Sequence, residues 1–130
     1  MMMTHNGIAS FAMADFKKLR VWKKAHALAL NADRVSATIR AGAHSSLRNQ
    51  LNRAAMSIPT NIVEGRGKKS DRDFARFLGY ALGSACELEY HIMVARDVGA
   101  MSKDDYSALH RQVIDIKRML HGLIDKLSGQ

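Results

Sequence analysis

Four stretches of the chain carry apolar residues every three or four positions, and this spacing constrains the fold more than any other feature. The stretches are residues 21–39, 47–62, 74–95 and 106–127. The spacing predicts amphipathic helices that each bury one face, and no stretch alternates apolar and polar residues as a strand does. The predicted core positions are Val21, Ala25, Leu28, Ala32, Val35, Ile39, Leu47, Leu51, Ala54, Ile58, Ile62, Phe74, Phe77, Ala81, Ala85, Leu88, Ile92, Ala95, Tyr106, Leu109, Val113, Ile116, Leu120, Leu123 and Leu127.

Glycine and serine residues predict where these helices begin and end. Gly42 interrupts the pattern after the first helix, and Gly65 is the first of two glycines that end the second. Ser70 and Ser102 are each followed by acidic residues, which is typical of the N-termini of helices. The third helix is expected to end near Gly99.

Short connections between the four helices leave no room for a crossover, so neighbours in sequence must run in opposite directions. The sequence therefore predicts an all-α fold: an antiparallel up-down-up-down, left-handed four-helix bundle. A chain of 130 residues has the size of one domain. We predict a single bundle domain at residues 15–128, and a disordered tail without the features of a secretory signal at residues 1–14.

The one proline of the chain, Pro59, lies inside the second predicted helix. It has no backbone N–H and its ring crowds the carbonyl of Ala55, so helix two is expected to be kinked at Pro59. The hydroxyl of Ser57 or Thr60, or water, would bond to the freed carbonyl. The "GKKS" that follows resembles the end of a P-loop, but Ile62 stands in place of the required glycine and the preceding segment is helical, so we reject that motif.

Positive charge is concentrated in the first part of the chain. The net charge is +8, and residues 1–80 carry 14 Lys and Arg against 5 Asp and Glu, whereas residues 81–130 carry 6 against 7. The asymmetry suggests an anionic partner such as RNA or DNA, and the alternative is a basic face that only keeps the protein soluble. The candidate nucleic-acid-binding residues form an N-terminal cluster of Lys17, Lys18, Arg20, Lys23 and Lys24, and a turn cluster of Arg66, Lys68, Lys69, Arg72 and Arg76.

The predicted bundle brings the two basic clusters to the same end, where the N-terminus of the third helix adds backbone N–H donors for phosphate. Trp22 lies beside the N-terminal cluster and could stack on a base, but its place next to the apolar stripe is more typical of packing or a subunit interface. Asn61 and Glu64 lie near the apolar face of the second helix. We expect them in a hydrogen-bonded cluster with an arginine such as Arg53 or Arg76.

No pattern of residues indicates catalysis, a metal or a cofactor. Glu87, Glu89 and His91 lack the Glu-x-x-His spacing of a di-iron bundle, and "LGSAC" is not the Gly-x-Ser-x-Gly elbow of a hydrolase. The single cysteine, Cys86, excludes an internal disulfide. No apolar run reaches the roughly 18 residues of a membrane span. We therefore expect a cytoplasmic, non-enzymatic protein with no cofactor, no metal site and no membrane association.

Several segments carry a resemblance to a known family, and they span about residues 16–127. The most specific are "Q-L-x-R-A-A-x-S-I-P-x-N-I-x-E-G" at residues 50–65, which contains Pro59, Asn61, Glu64 and Gly65, and "R-F-L-x-x-A-L-G-S" at residues 76–84. On these motifs the chain resembles the four-helix-bundle family of 23S rRNA intervening-sequence (S23) proteins, which is related to the accessory variability determinant proteins of retroelements.

This resemblance implies an all-α bundle that assembles as a ring-like homo-oligomer, with a pentamer favoured, and that has no established catalytic activity. It also points to RNA or DNA as a partner. The apolar residues at the edges of the stripes or outside them favour self-association as well. They are Val21, Trp22, Leu30, Met56, Val63, Leu78, Leu82, Met93, Val94 and Met119. The predicted function is a self-associating scaffold that binds structured RNA or DNA; the alternative is an oligomeric scaffold for a protein partner, with no nucleic-acid role.

Overall fold

The computed structural model describes residues 15–129, and within them it contains four α-helices and no strand. The helices are α1 (Arg20–Ser36), α2 (Ala41–Arg66), α3 (Asp71–Asp97) and α4 (Lys103–Leu127), and a 3-10 turn at Phe16–Lys18 precedes them. The predicted tail at residues 1–14 lies outside the described residues. None of the helices in residues 15–129 combines the length and the apolar character that crossing a membrane requires.

Side-chain and glycine caps define the ends of α3 and α4. The hydroxyl of Ser70 accepts a hydrogen bond from the backbone N–H of Asp73 at 3.1 Å, and Ser102 caps α4 in the same way. Gly99 has a φ of +76°, and the N–H of Ala100 donates to the carbonyl of Ala95 at 2.8 Å, as in a Schellman motif. The predicted caps and the predicted end near Gly99 are therefore confirmed.

The apolar stripes meet in one core. Each helix packs against the next in sequence, and α1 also packs against α4. Most of the predicted core positions are buried, whereas Leu47, Phe77, Tyr106, Leu123 and Leu127 are half-buried at its edge. Leu78, which was predicted to serve self-association, belongs to this core instead, and Val21, which was named in both predictions, is also buried within the single chain.

The start of α2 differs from the sequence prediction. The chain turns at residues 37–40, and Gly42 already lies in the first turn of α2 instead of before it. Within α2 the one departure from helical angles lies at His44, with φ −135° and ψ 37°. The kink at Pro59 therefore stays a prediction. The hydroxyl of Thr60 donates to the carbonyl of Met56 at 2.8 Å, not to the carbonyl of Ala55 that Pro59 frees.

Gly65 is a point of close approach between α2 and α3. It is buried, and a Cβ atom placed on it would lie 2.8 Å from the Cβ of Phe77 and 3.1 Å from Cδ1 of Phe74. Real Cβ atoms are not found as close as 2.8 Å to another carbon. A glycine is therefore required here by the distance between two helices, not by its own backbone angles.

We expect Gly65→Ala to lower the free energy of unfolding by about 1–3 kcal/mol, because the added methyl group forces α2 and α3 apart. Gly122→Ala is the matched control, since Gly122 lies within α4 and a Cβ placed on it would meet nothing within 4 Å. There alanine should raise stability by about 0.5–1 kcal/mol through its higher helix propensity. Urea denaturation followed by circular dichroism measures both, and equal stabilisation by the two substitutions would contradict this account of Gly65.

Candidate nucleic-acid interface

The turn cluster surrounds the connection between α2 and α3. Lys68, Lys69 and Arg72 are exposed, and within residues 15–129 none of their side chains forms a hydrogen bond or an ion pair. Ser70, which caps α3, lies among them. The cap occupies the N–H of Asp73, whereas the positive charges of Lys68, Lys69 and Arg72 remain available to a ligand. Three solvated cations therefore stand at the positive end of a 27-residue helix.

Aromatic side chains of α3 contact two members of the turn cluster, Arg66 and Lys68. The guanidinium carbon of Arg66 lies 5.7 Å from the ring centroid of Phe74, and Nζ of Lys68 lies 4.8 Å from that of Phe77. Arg66 is half-buried, and its Nε atom is buried with no hydrogen-bond partner within the described residues. Cation–π attraction to a partly desolvated ring is the interaction that orients both side chains.

Arg76 connects this group to a third aromatic residue. Its guanidinium lies 5.0 Å from the centroid of Phe77, and Nη1 donates a hydrogen bond to the hydroxyl of Tyr80 at 3.1 Å. Nη2 lies 3.4 Å from a carboxylate oxygen of Asp73. The hydrogen bond to Tyr80, more than the nearby Asp73, raises the pKa of Arg76. Arg76 is therefore held in place by Tyr80 and paired with the carboxylate of Asp73, unlike Lys69 or Arg72.

Sequence reasoning missed the aromatic component of the turn cluster. It placed Phe74 and Phe77 in the core stripe and did not connect them or Tyr80 with the basic residues. The available signal was the position of Phe77 next to Arg76 and of Tyr80 four residues after it, which brings both rings beside the Arg76 guanidinium.

The members of the N-terminal cluster differ in their contacts within the chain. Lys17, Arg20 and Lys23 are exposed, and Lys18, also exposed, forms an ion pair with Asp15 at 3.2 Å. The 3-10 turn that contains Lys17 and Lys18 contacts both α1 and α2. The beginning of the described chain is thereby held against the helix that ends at Arg66.

Lys24 is committed to an internal contact. Its Nζ donates a hydrogen bond to a carboxylate oxygen of Asp115 on α4 at 2.9 Å, and both groups are half-buried. This hydrogen bond is the main cause of a lowered pKa for Asp115, to which Arg118 and Arg20 also contribute. Of the five residues predicted for this cluster, Lys24 is therefore the least available to a phosphate.

Trp22 packs against the core, as predicted. Its ring meets Phe16 edge-on with centroids 5.0 Å apart, and it stacks on His26 with centroids 4.9 Å apart and planes only 6° from parallel. The indole therefore has one face covered by His26 and an edge contact with Phe16. It is poorly placed to stack on a base.

Asn61 joins a hydrogen-bonded cluster between α2 and α3, but its partner is Ser57 and not the predicted arginine. The Nδ2 atom of Asn61 donates to the backbone carbonyl of Ser57 at 2.9 Å and to the hydroxyl of Ser57 at 3.0 Å. That hydroxyl is 2.8 Å from the hydroxyl of Ser84 on α3. Glu64 is exposed, and within residues 15–129 its carboxylate has no hydrogen bond or ion pair. Neither residue contacts Arg53 by a hydrogen bond.

Glu89 of α3 forms polar contacts with side chains of α4. No group of three or more His, Cys, Asp or Glu residues within 15–129 is arranged to hold a metal ion. Glu89 instead accepts a hydrogen bond from Lys117 of α4 at 2.7 Å, and it lies 3.8 Å from His110. These polar contacts tie α3 to α4.

Similarity to known proteins extends over most of the chain. A family model described as 23S rRNA-intervening sequence protein matches residues 17–122. The fold is similar to the 1.70 Å crystal structure of a protein with unknown function from the S23 ribosomal protein family of Bacteroides thetaiotaomicron VPI-5482. The TM-score is 0.75, the identity is 23%, and the match covers 80% of this chain and 97% of that one. No curated protein matches the chain.

The contact between Lys24 and Asp115 predicts that the pKa of Asp115 depends on Lys24 and not on its neighbour Lys23. Because the folded-state pKa of Asp115 is lowered, the contact stabilises the fold above the ordinary aspartate pKa, and that contribution is lost as the pH falls through the lowered value. Lys24→Gln should raise the pKa of Asp115 toward its ordinary range, whereas Lys23→Gln should leave it unchanged. Carboxyl titration by NMR measures both, and an unchanged pKa in Lys24→Gln would contradict the assignment.

Proposed function

The chain belongs to the 23S rRNA-intervening sequence protein family, and from that premise we propose that it is a non-enzymatic, self-associating scaffold whose basic surface binds structured RNA or DNA. One observation carries the proposal: Lys68, Lys69 and Arg72 are exposed without a carboxylate partner in the described chain, at the N-terminus of α3. Because the family is described by an rRNA-intervening sequence, we propose a nucleic acid as the anionic partner. The unpaired Cys86 supports a reducing, cytoplasmic location.

The proposal includes the antiparallel, up-down-up-down arrangement of the helices. Contacts between α2 and α3 run in opposite directions along the two helices, since Ser57 meets Ser84 whereas Gly65, further along α2, meets the earlier Phe77. This order is the one expected of an antiparallel pair. The left-handed twist of the bundle stays a prediction.

Contacts between the first and last helices follow the same rule. Lys24 pairs with Asp115, and the later Arg34 lies 3.7 Å from the earlier Asp105. With α1 and α2 joined by only residues 37–40, this arrangement brings the start of α1 and the end of α2 to the same end of the bundle. The N-terminal cluster and the turn cluster would then form one basic surface.

A phosphate backbone suits such a surface because its charges repeat and carry no sequence information. Exposed lysines and arginines displace the counterions condensed on a nucleic acid, and the backbone N–H groups at the start of α3 add directed donors. Lys17, Arg20 and Lys23 would extend the contact beyond the turn cluster. Binding is therefore expected to depend on backbone shape and salt more than on base sequence.

Exposed apolar side chains support the self-association part of the proposal. Leu30 and Met56, both among the residues predicted to serve self-association, are 58% and 54% exposed. A subunit contact that covers them would remove their apolar surface from water. The resemblance in the sequence motifs favours a pentameric ring, which would repeat the basic surface around its axis.

Salt dependence of binding provides the main test. Replacing Lys68, Lys69 and Arg72 with glutamine should weaken binding to a structured RNA and to a DNA duplex alike, and should reduce the slope of log affinity against log salt by about 1 per phosphate contact removed. Affinity titrations from about 50 to 200 mM salt measure this slope. Arg66 and Arg76 are left unchanged because Arg66 is half-buried and Arg76 is bonded to Tyr80 and Asp73 within the chain.

A matched triple variant controls for net charge. Arg40, Lys103 and Arg111 are also exposed, and in residues 15–129 none of their side chains has a hydrogen bond or ion pair. Their replacement with glutamine should reduce affinity much less. Equal losses in the two triple variants would indicate non-specific attraction to a basic protein, and no binding by the wild type at low salt would favour the alternative, a scaffold for a protein partner.

Self-association has a separate test. Light scattering at micromolar concentration should return a mass several times the 14.4 kDa of one chain. Met56→Glu is expected to lower that mass by placing a desolvated charge in a subunit contact, without changing the helical content. A mass near 14.4 kDa for the wild type would refute self-association, whatever the outcome with nucleic acid.

A further inference from the structure

We propose that Tyr80 is a stacking platform for one unpaired base of the bound nucleic acid. The inference rests on the proposed function and goes beyond it, because it names the ligand as a strand with a nucleotide outside the duplex, such as a bulge or a loop. Phosphate contacts alone do not distinguish such a strand from a continuous duplex. A solvent-exposed aromatic ring beside the phosphate-binding cations does.

The position of Tyr80 on α3 fits a nucleotide that already contacts the turn cluster. Arg72, Arg76 and Tyr80 are spaced by four residues along α3 and are all exposed. Residues at this spacing lie on one side of a helix, about 6 Å apart along its axis. A strand running along this side of α3 meets two guanidinium groups and then an aromatic ring, which matches the alternation of phosphate and base in a nucleotide chain.

Space for a base is available next to the ring. Tyr80 is 48% exposed, and one turn further along α3 Gly83 presents no side chain. Nothing lies within 4 Å of a Cβ placed on Gly83 or on Gly79, the residue before Tyr80. A base would therefore approach the ring from the side of Gly83, since the guanidinium of Arg76 already lies over the ring 5.8 Å from its centroid.

The ring is also held in place before any ligand arrives. Its hydroxyl accepts the hydrogen bond from Arg76, and Phe77 contacts it edge-on with centroids 5.2 Å apart and planes 70° apart. Stacking on an ordered ring costs little further side-chain entropy. The exposed guanidinium of Arg72, which has no ion-pair partner within residues 15–129, attracts the phosphates of the same strand.

Two other aromatic residues fit this role less well. Trp22 is stacked on His26 and meets Phe16 at its edge, so its ring is engaged within the chain. Tyr90 is more exposed than Tyr80, but its ring contacts that of His91, and within residues 15–129 no lysine or arginine lies over it. Tyr90 is thus an exposed tyrosine on the same helix without a cation over its ring, which makes it the control.

The test uses the full chain and two RNA hairpins that differ by a single bulged 2-aminopurine. Wild type, Tyr80→Ala, Tyr80→Phe and Tyr90→Ala are compared for affinity to each hairpin and for quenching of the 2-aminopurine fluorescence, which stacking on the ring produces. Light scattering of each variant monitors its assembly. The phenylalanine variant keeps the ring and removes only the hydrogen bond from Arg76.

We expect Tyr80→Ala to bind the bulged hairpin roughly tenfold more weakly, to abolish the quenching, and to leave affinity for the fully paired hairpin unchanged. Tyr80→Phe should keep most of the preference, and Tyr90→Ala should behave as wild type. Equal effects on both hairpins, no effect of Tyr80→Ala, or a changed assembly mass in that variant would overturn the inference.

The outcomes also separate this inference from the proposed function. If the wild type binds both hairpins equally, with a loss in the variant lacking Lys68, Lys69 and Arg72, the basic surface stands and the role of Tyr80 fails. If the wild type binds neither hairpin at low salt, both fail together.

Discussion

The close approach of α2 to α3 at Gly65 is the contact on which the rest of this end of the molecule depends. With no side chain on Gly65, the backbone of α2 lies directly against Phe74 and Phe77. The same two rings then carry Arg66 and Lys68 above them. A packing requirement between two helices thereby determines where the cations of the turn cluster stand, and at what distance from the capped start of α3.

Cations that look alike in the sequence have different roles in the structure. Lys24 neutralises Asp115 across the interface of α1 and α4, and Arg76 is held between Asp73 and Tyr80. Lys69 and Arg72 face solvent instead. Since a charge that is already paired within the protein offers little to a ligand, the number of exposed and unpaired cations describes a phosphate-binding surface better than net charge does.

Much of the fold could be predicted because its signals are local. The helical spacing of apolar residues identified the core positions of all four helices, and Ser70 and Ser102 were recognised as caps from the residues that follow them. The sequence predictions were wrong where a single turn or a single partner residue determines the structure. The helix α2 begins before Gly42, and Leu78 lies in the core. Asn61 bonds to Ser57, which in turn contacts Ser84, and not to an arginine.

The sequence by itself determined the four helices, their buried stripes and caps, the two basic clusters and the family. These properties depend on residues within a few positions of one another, through the 3.6-residue period of the helix and the short reach of a capping side chain. Only the tertiary structure decided that Lys24 is paired with Asp115, that Gly65 must lack a side chain, and that Phe77 and Tyr80 stand among the cations of the turn cluster. Such pairings depend on how far each helix is rotated and shifted against its neighbour, and many distant residues share in setting that register.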